Sequence, residues 1–171
     1  GEYFYPLNCN AEQLRVCKAF FENEKAISLQ LREEQKFDYD PTQPRKLSST
    51  FGVVANIDVN QNELDFFAKY PSAYINNNSV TRWAVYANTP MSRNVKEKLY
   101  PTIRASIKGL SEKDAVNKIL NFVQTAFTYG YDNQVWGCDR AFFASETLHY
   151  PYSDCEDRSI LFARLVRDIV G

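Results

Sequence analysis

The run Tyr150-Pro-Tyr-Ser-Asp-Cys155-Glu-Asp-Arg-Ser159 sets a thiol among hydroxyl, carboxylate and guanidinium groups, just ahead of an apolar stripe. Ser153 and Glu156 have capping-box spacing, so the run reads as the start of a helix over 153–170 with Cys155 as its second residue. Unpaired backbone N–H groups at a helix start favour a thiolate and can donate to an oxyanion, which is the chemistry of nucleophilic acyl transfer. Asp154, Glu156 and Asp157 oppose it, because negative neighbours disfavour a thiolate. Position alone does not decide, since a cysteine near a helix start is more often a small packing residue.

The other candidates are few. His149, the single histidine, stands six residues before Cys155 with Pro151 between them. It is a candidate base, set against the commoner role of a loop residue packed among Tyr150 and Tyr152. Gln134 and Trp136 precede the cysteine helix and are candidates to line a cleft or donate to an oxyanion, against simple loop packing. Tyr129 and Tyr131 either wall a pocket or belong to the core. Cys138 lies 17 residues before Cys155, and a bridge between them would silence the nucleophile. Arg158 reads as a surface ion pair with Asp154 or Asp157, and Arg164 with Asp168 as a solvated i, i+4 pair. The four cysteines, Cys9, Cys17, Cys138 and Cys155, form no CxxC pair, so neither a zinc site nor any cofactor is expected.

The elements that must position these residues divide near residue 90. Residues 1–90 lean towards β structure. A short helix is expected over 10–24, a strand over 26–31, a proline turn over 40–45, and one or two strands over 47–59 around Gly52. A short helix over 62–70, a loop over 76–79 with a formal glycosylation triplet at Asn77, and an alternating strand over 81–87 follow. Residues 91–171 read as helical. Ser92 caps a helix towards Lys108, kinked or split by Pro101. Ser111 and Asp114 open another, with Val116, Ile119, Leu120, Val123 and Phe127 at helical spacing. A structured loop over 128–139 and a short helix over 143–148 lead to the last helix. Its Leu161, Phe162, Leu165, Val166 and Ile169 form a broad apolar stripe.

The bulk composition excludes several classes. Of 171 residues, 44% are hydrophobic, enough for a core, and 20 basic side chains against 21 acidic ones give no basic excess for nucleic acid. No stretch is long and apolar enough to span a bilayer. No secretory signal is visible, and Gly1 reads as a tag or processing remnant.

The run from Tyr150 to Ser159, continued by Ile-Leu-Phe-Ala-Arg-Leu-Val-Arg-Asp-Ile-Val-Gly, resembles the nucleophile helix of bacterial transglutaminase-like cysteine enzymes. Asn88-Thr-Pro-Met-Ser92, Phe122-Val-Gln-Thr-Ala-Phe127 and Ala141-Phe-Phe143 are similar too, so the likeness runs from about residue 81 to the end. It implies an α+β chain: a β-leaning N-terminal segment, then the helical lobe of a transglutaminase-like, papain-like fold. It also implies that Cys155 attacks an amide or ester carbonyl of a peptide or protein, forming a thioester that water or an amine resolves. In the family the catalytic histidine and its acidic partner follow this helix. They have no counterpart before Gly171, and His149 does not match that histidine. The chain is therefore expected to be a truncated, inactive part of a hydrolase or acyltransferase, since losing a triad histidine can cost on the order of 10⁶ in turnover. Two alternatives stand beside it, a non-catalytic binding module and one subunit of an enzyme assembled from two polypeptides. The last helix is expected to meet a second copy, a C-terminal fragment or the N-terminal strands. The resemblance also implies a periplasmic, cell-surface or secreted setting.

Overall fold

The computed structural model describes residues 33–70 and 79–171, with the backbone alone at 79–82 and in two short strands near the N-terminus. Those strands, β1 (Phe4–Pro6) and β2 (Val16–Lys18), pair antiparallel. The helix expected over 10–24 therefore has a strand at its centre. The rest of that span, the strand expected over 26–31 and the loop over 76–78 with Asn77 lie outside the described residues.

A hairpin of β3 (Arg45–Ser48) and β4 (Val54–Ile57) follows. Its turn uses Gly52 at φ 83°, a conformation open chiefly to glycine. The pleat buries Leu47, Ala55 and Ile57 and exposes the residues between them. Helix α1 (Gln61–Ala68) starts at Asn60, whose side chain accepts from the Asn62 amide.

Residues 79–88 correct the expected strand. They form a helix, α2 (Ser79–Asn88), which buries Val85 and Tyr86 against Phe143 and Ile160. The alternation of Trp83, Val85 and Ala87 was compatible with a strand. Packing on neighbouring helices overrides the β preference of such residues.

Helix α3 (Arg93–Ile107) follows Ser92 and runs unbroken through Pro101, which points to solvent. Helix α4 (Glu112–Thr125) opens at Ser111, whose hydroxyl accepts from the Asp114 amide at 3.2 Å. The expected loop over 128–139 contains a two-residue strand, β5 (Thr128–Tyr129), and one turn of helix, α5 (Asp132–Val135). Then come α6 (Ala144–His149), β6 (Tyr152–Ser153) and α7 (Cys155–Ile169). Strands β5 and β6 pair parallel, Tyr129 opposite Ser153. Among the described residues the class is α+β, with helices predominant and three two-stranded sheets. Among the described residues no helix is long and apolar enough to cross a membrane.

The main core joins the hairpin to the helices, with Leu47, Ala55 and Ile57 in one cluster with Leu99, Ile103, Ile119, Phe122, Leu161 and Leu165. It spans the compositional shift at residue 90. The stripe of α7 lies within it: Leu161 and Leu165 are fully buried, and Phe162, Val166 and Ile169 pack half-buried on the same cluster. A second cluster centres on Phe143, whose ring stacks on Phe67 at 4.2 Å and meets Tyr86 at 4.4 Å.

Arg164 and Asp168 are not simply solvated. Arg164 pairs with Asp168 and donates to the Asn88 carbonyl at 3.2 Å, and Asp168 also accepts from the Tyr100 hydroxyl. The group ties α2, α3 and α7 together.

Candidate functional site

The cap of α7 is one residue later than the spacing suggested. Asp154, not Ser153, is the N-cap. Its side chain accepts from the Asp157 amide, and Asp157 accepts in return from the Asp154 amide at 3.2 Å. Ser153 is committed elsewhere, its backbone to β6 and its hydroxyl to Arg158 Nε at 3.1 Å. Cys155 is accordingly the first helical residue rather than the second, and its side chain is exposed. Cys138 is half-buried, and no disulfide joins it to Cys155.

The Cys155 thiol donates to Glu156 Oε2 at 3.4 Å. That bond, partial burial and the charges of Glu156 and Asp154 raise its pKa, while the Tyr129 hydroxyl beside it pulls the other way. The sulfur borders a cleft of about 480 Å³ between α2 and α7. Cys155, Ser159 and Ala163 recur every four residues along one side of α7, and Trp83 and Ala87 line the opposing side from α2. The walls are mostly apolar, within the size range of small-molecule sites.

Carboxylates crowd the helix start. Oxygens of the buried Asp132, Asp154 and Asp157 lie within 4.8 Å of one another, as do those of Asp132, Asp139 and Glu156. Groups so close take up a proton or a cation. Asp157 is pushed up to about 8, by burial first and then by Asp154 and Asp132, although the Phe142 and Asp154 amides favour its charged form. Asp132 is also raised, mainly by burial, while accepting from the Arg140 amide at 2.7 Å.

The remaining candidates are placed as follows. His149 is half-buried with its ring 5.0 Å from that of Tyr150, and burial and Arg45 lower its pKa. The sulfur's polar neighbours are Glu156, Asp154 and Tyr129 instead. Gln134 is exposed on α5. Trp136 is half-buried edge-on to Phe142 and Tyr150, with the Arg140 guanidinium 5.5 Å above its ring. Tyr129 and Tyr131 are exposed, not core. Arg158 corrects its expected ion pair. It donates to the Gln124 and Phe127 carbonyls, each at 3.0 Å, and lies 5.1 Å over the Tyr129 ring.

Sequence reasoning missed Trp83 as a cleft wall, because it set that residue in a strand. Helical phasing, with Ala87 four positions on, is the signal that would have placed both on one side. It also missed Glu156 as the acceptor of the thiol proton. Comparison of the chain with protein-family models, curated proteins and solved structures finds no match.

Proposed function

We propose that this chain carries the nucleophile of a transglutaminase-like cysteine enzyme that transfers acyl groups from peptide or protein amides, in a bacterial envelope or extracellular setting. One observation carries the reading: an exposed thiol at the first position of α7 opens on a cleft large enough for a substrate side chain. The thiolate attacks the carbonyl carbon, and backbone N–H groups at the helix start are the donors that would receive the oxyanion. The amine leaves with a proton, and water or a second amine releases the acyl group from sulfur. The reading requires an imidazole other than His149, brought by another segment or polypeptide.

The experiment is acylation of the whole chain by an activated aryl ester, followed by mass spectrometry of the labelled peptides. Cys155 should gain the acyl group faster than Cys138, with no steady-state turnover of simple amides. Labelling that favours Cys138, or that persists at the same rate in Cys155→Ala, overturns the assignment.

The raised thiol favours a second reading, a binding module derived from the same fold. Acylation at Cys155 no faster than in the unfolded chain would support it.

A further inference from the structure

We propose that the cleft between α2 and α7 is a subsite for an arginine side chain of a peptide, which lays its aliphatic stem between the two helices and its guanidinium against Glu156. The subsite stands whether or not Cys155 is a nucleophile, because the sulfur supplies none of the contacts that hold the arginine.

The shape of the cleft follows from how the helices are tied. The Asn88 carbonyl, at the end of α2, accepts from Arg164 at 3.2 Å, and the Asn88 side chain accepts from Arg167. Ala87 therefore stands beside Ala163, and Trp83, one turn back along α2, stands towards the start of α7. The helices are pinned just past the alanine pair, which closes the cleft at that end. From Cys155 to Ala163 the groove runs for about 12 Å at the rise of an α-helix, enough for an extended side chain. Ile160 is its floor, buried in one cluster with Val85 and Tyr86. An alanine on each wall leaves open the space that a larger side chain would fill.

The charge sits at the other end. Of the residues that line the cleft, Glu156 is the charged one. It is half-buried, and among the described residues no lysine or arginine pairs with it. Asp132 and Asp139 bring carboxylate oxygens within 4.8 Å of its own. Arg158, the next cation along α7, has its nitrogens committed to Ser153 Oγ at 3.1 Å and to the carbonyls of Gln124 and Phe127 at 3.0 Å. Desolvation first, and then Asp154, raise the pKa of Glu156, as befits a carboxylate that lacks a counter-charge.

The cleft thus joins apolar walls to one uncompensated carboxylate. A neutral chain would satisfy the walls alone, and an anionic one would be repelled at Glu156. A cation on an aliphatic stem suits both ends. A guanidinium suits them better than an ammonium, since its planar fork matches a carboxylate and it is more weakly hydrated.

The test is titration of the isotope-labelled whole chain, followed by NMR, with a blocked tripeptide that has arginine at its centre. The same peptide with citrulline, the uncharged isostere of arginine, is the control. The arginine peptide should bind about 10-fold tighter, the worth of one hydrogen bond to a charged group. It should shift the amides of Ala87, Ser159 and Ala163, and added salt should narrow its advantage. Glu156→Gln should make the two peptides equal. Ala163→Phe, at an exposed position, should weaken both by filling the groove. Failure of the arginine peptide to bind, equal affinities in the wild type, or a preference that survives Glu156→Gln overturns the proposal. The two readings fail separately. Acylation of Cys155 without the preference removes the subsite alone, whereas the preference without acylation removes the nucleophile and keeps the subsite.

Discussion

Arg45 donates to the carbonyl oxygens of His149 and Pro151, each at 3.3 Å, and to that of Tyr150 between them. One guanidinium on the hairpin thus grips three consecutive peptide units immediately before the strand that leads into Cys155. Its face also lies 5.6 Å from the Phe127 ring centroid. The N-terminal hairpin and the start of α7 are mechanically one piece.

Arg45→Met should cost about 2–3 kcal/mol, since it strips charged donors from partly buried carbonyls. Urea denaturation followed by tryptophan fluorescence measures it. A single transition at lower midpoint is expected, because the hairpin shares its core with α3, α4 and α7. Two separated transitions would show that the two halves fold independently.

The cap of α7 gives a second test. Asp154→Ala removes the acceptor for the Asp157 amide and should destabilise the chain by about 1–2 kcal/mol, whereas Asp154→Asn keeps an acceptor and should cost under about 0.5 kcal/mol. Equal losses in the two variants would mean that the charge of Asp154, and not its capping bond, is what matters.

Stability should fall as pH rises from about 4 to about 8. Asp157 and Glu146 are pushed up to about 8 and about 7, each chiefly by burial, so the native state holds protons that the unfolded chain has released. Their stabilisation is complete below their unfolded values near 4 and is lost as pH passes the folded ones. The slope approaches about 1.4 kcal/mol per pH unit for each proton held. In Asp157→Asn the slope between about 7 and 8 should vanish, while that below about 7 persists through Glu146. Thermal denaturation across this range decides it, and a wild-type stability that climbs with pH would refute the assignment.

Pro101 lies inside α3, facing solvent, where it cannot donate to the carbonyl one turn back. Pro101→Ala should restore that bond and stabilise the chain by about 1–3 kcal/mol, seen as a higher melting temperature. A lower one would show that the helix is adapted to the proline.

Where spacing alone determines structure, the sequence was legible. Ser111 with Asp114, and Ile119, Phe122 and Val123 behind them, define α4 from local rules. Gly52 between alternating apolar residues does the same for the hairpin. Trp83 to Ala87 misled because aromatic and β-branched residues suit strands as well as buried helices, and the choice is made by Phe143 and Ile160, far along the chain. At the candidate site, Cys155 could be found from its neighbours in sequence. Tyr129 was a candidate from its place before the cysteine helix, but its pairing beside Ser153 and the position of Trp83 across the cleft are set by the pairing of β5 and the packing of α2. Arg158 misled in the same way. An arginine beside two aspartates suggests an ion pair, but the carbonyls at the end of α4 compete for its donors and win.

The pairing of Tyr129 with Ser153 also bears on the order in which the chain acquires its shape. Strands β5 and β6 meet only after the 130–151 segment has folded back on itself. Until then Tyr129 does not lie opposite Ser153, two residues before Cys155. A newly made chain therefore presents four ordinary cysteines, Cys9, Cys17, Cys138 and Cys155, to thiol–disulfide exchange before that arrangement is reached.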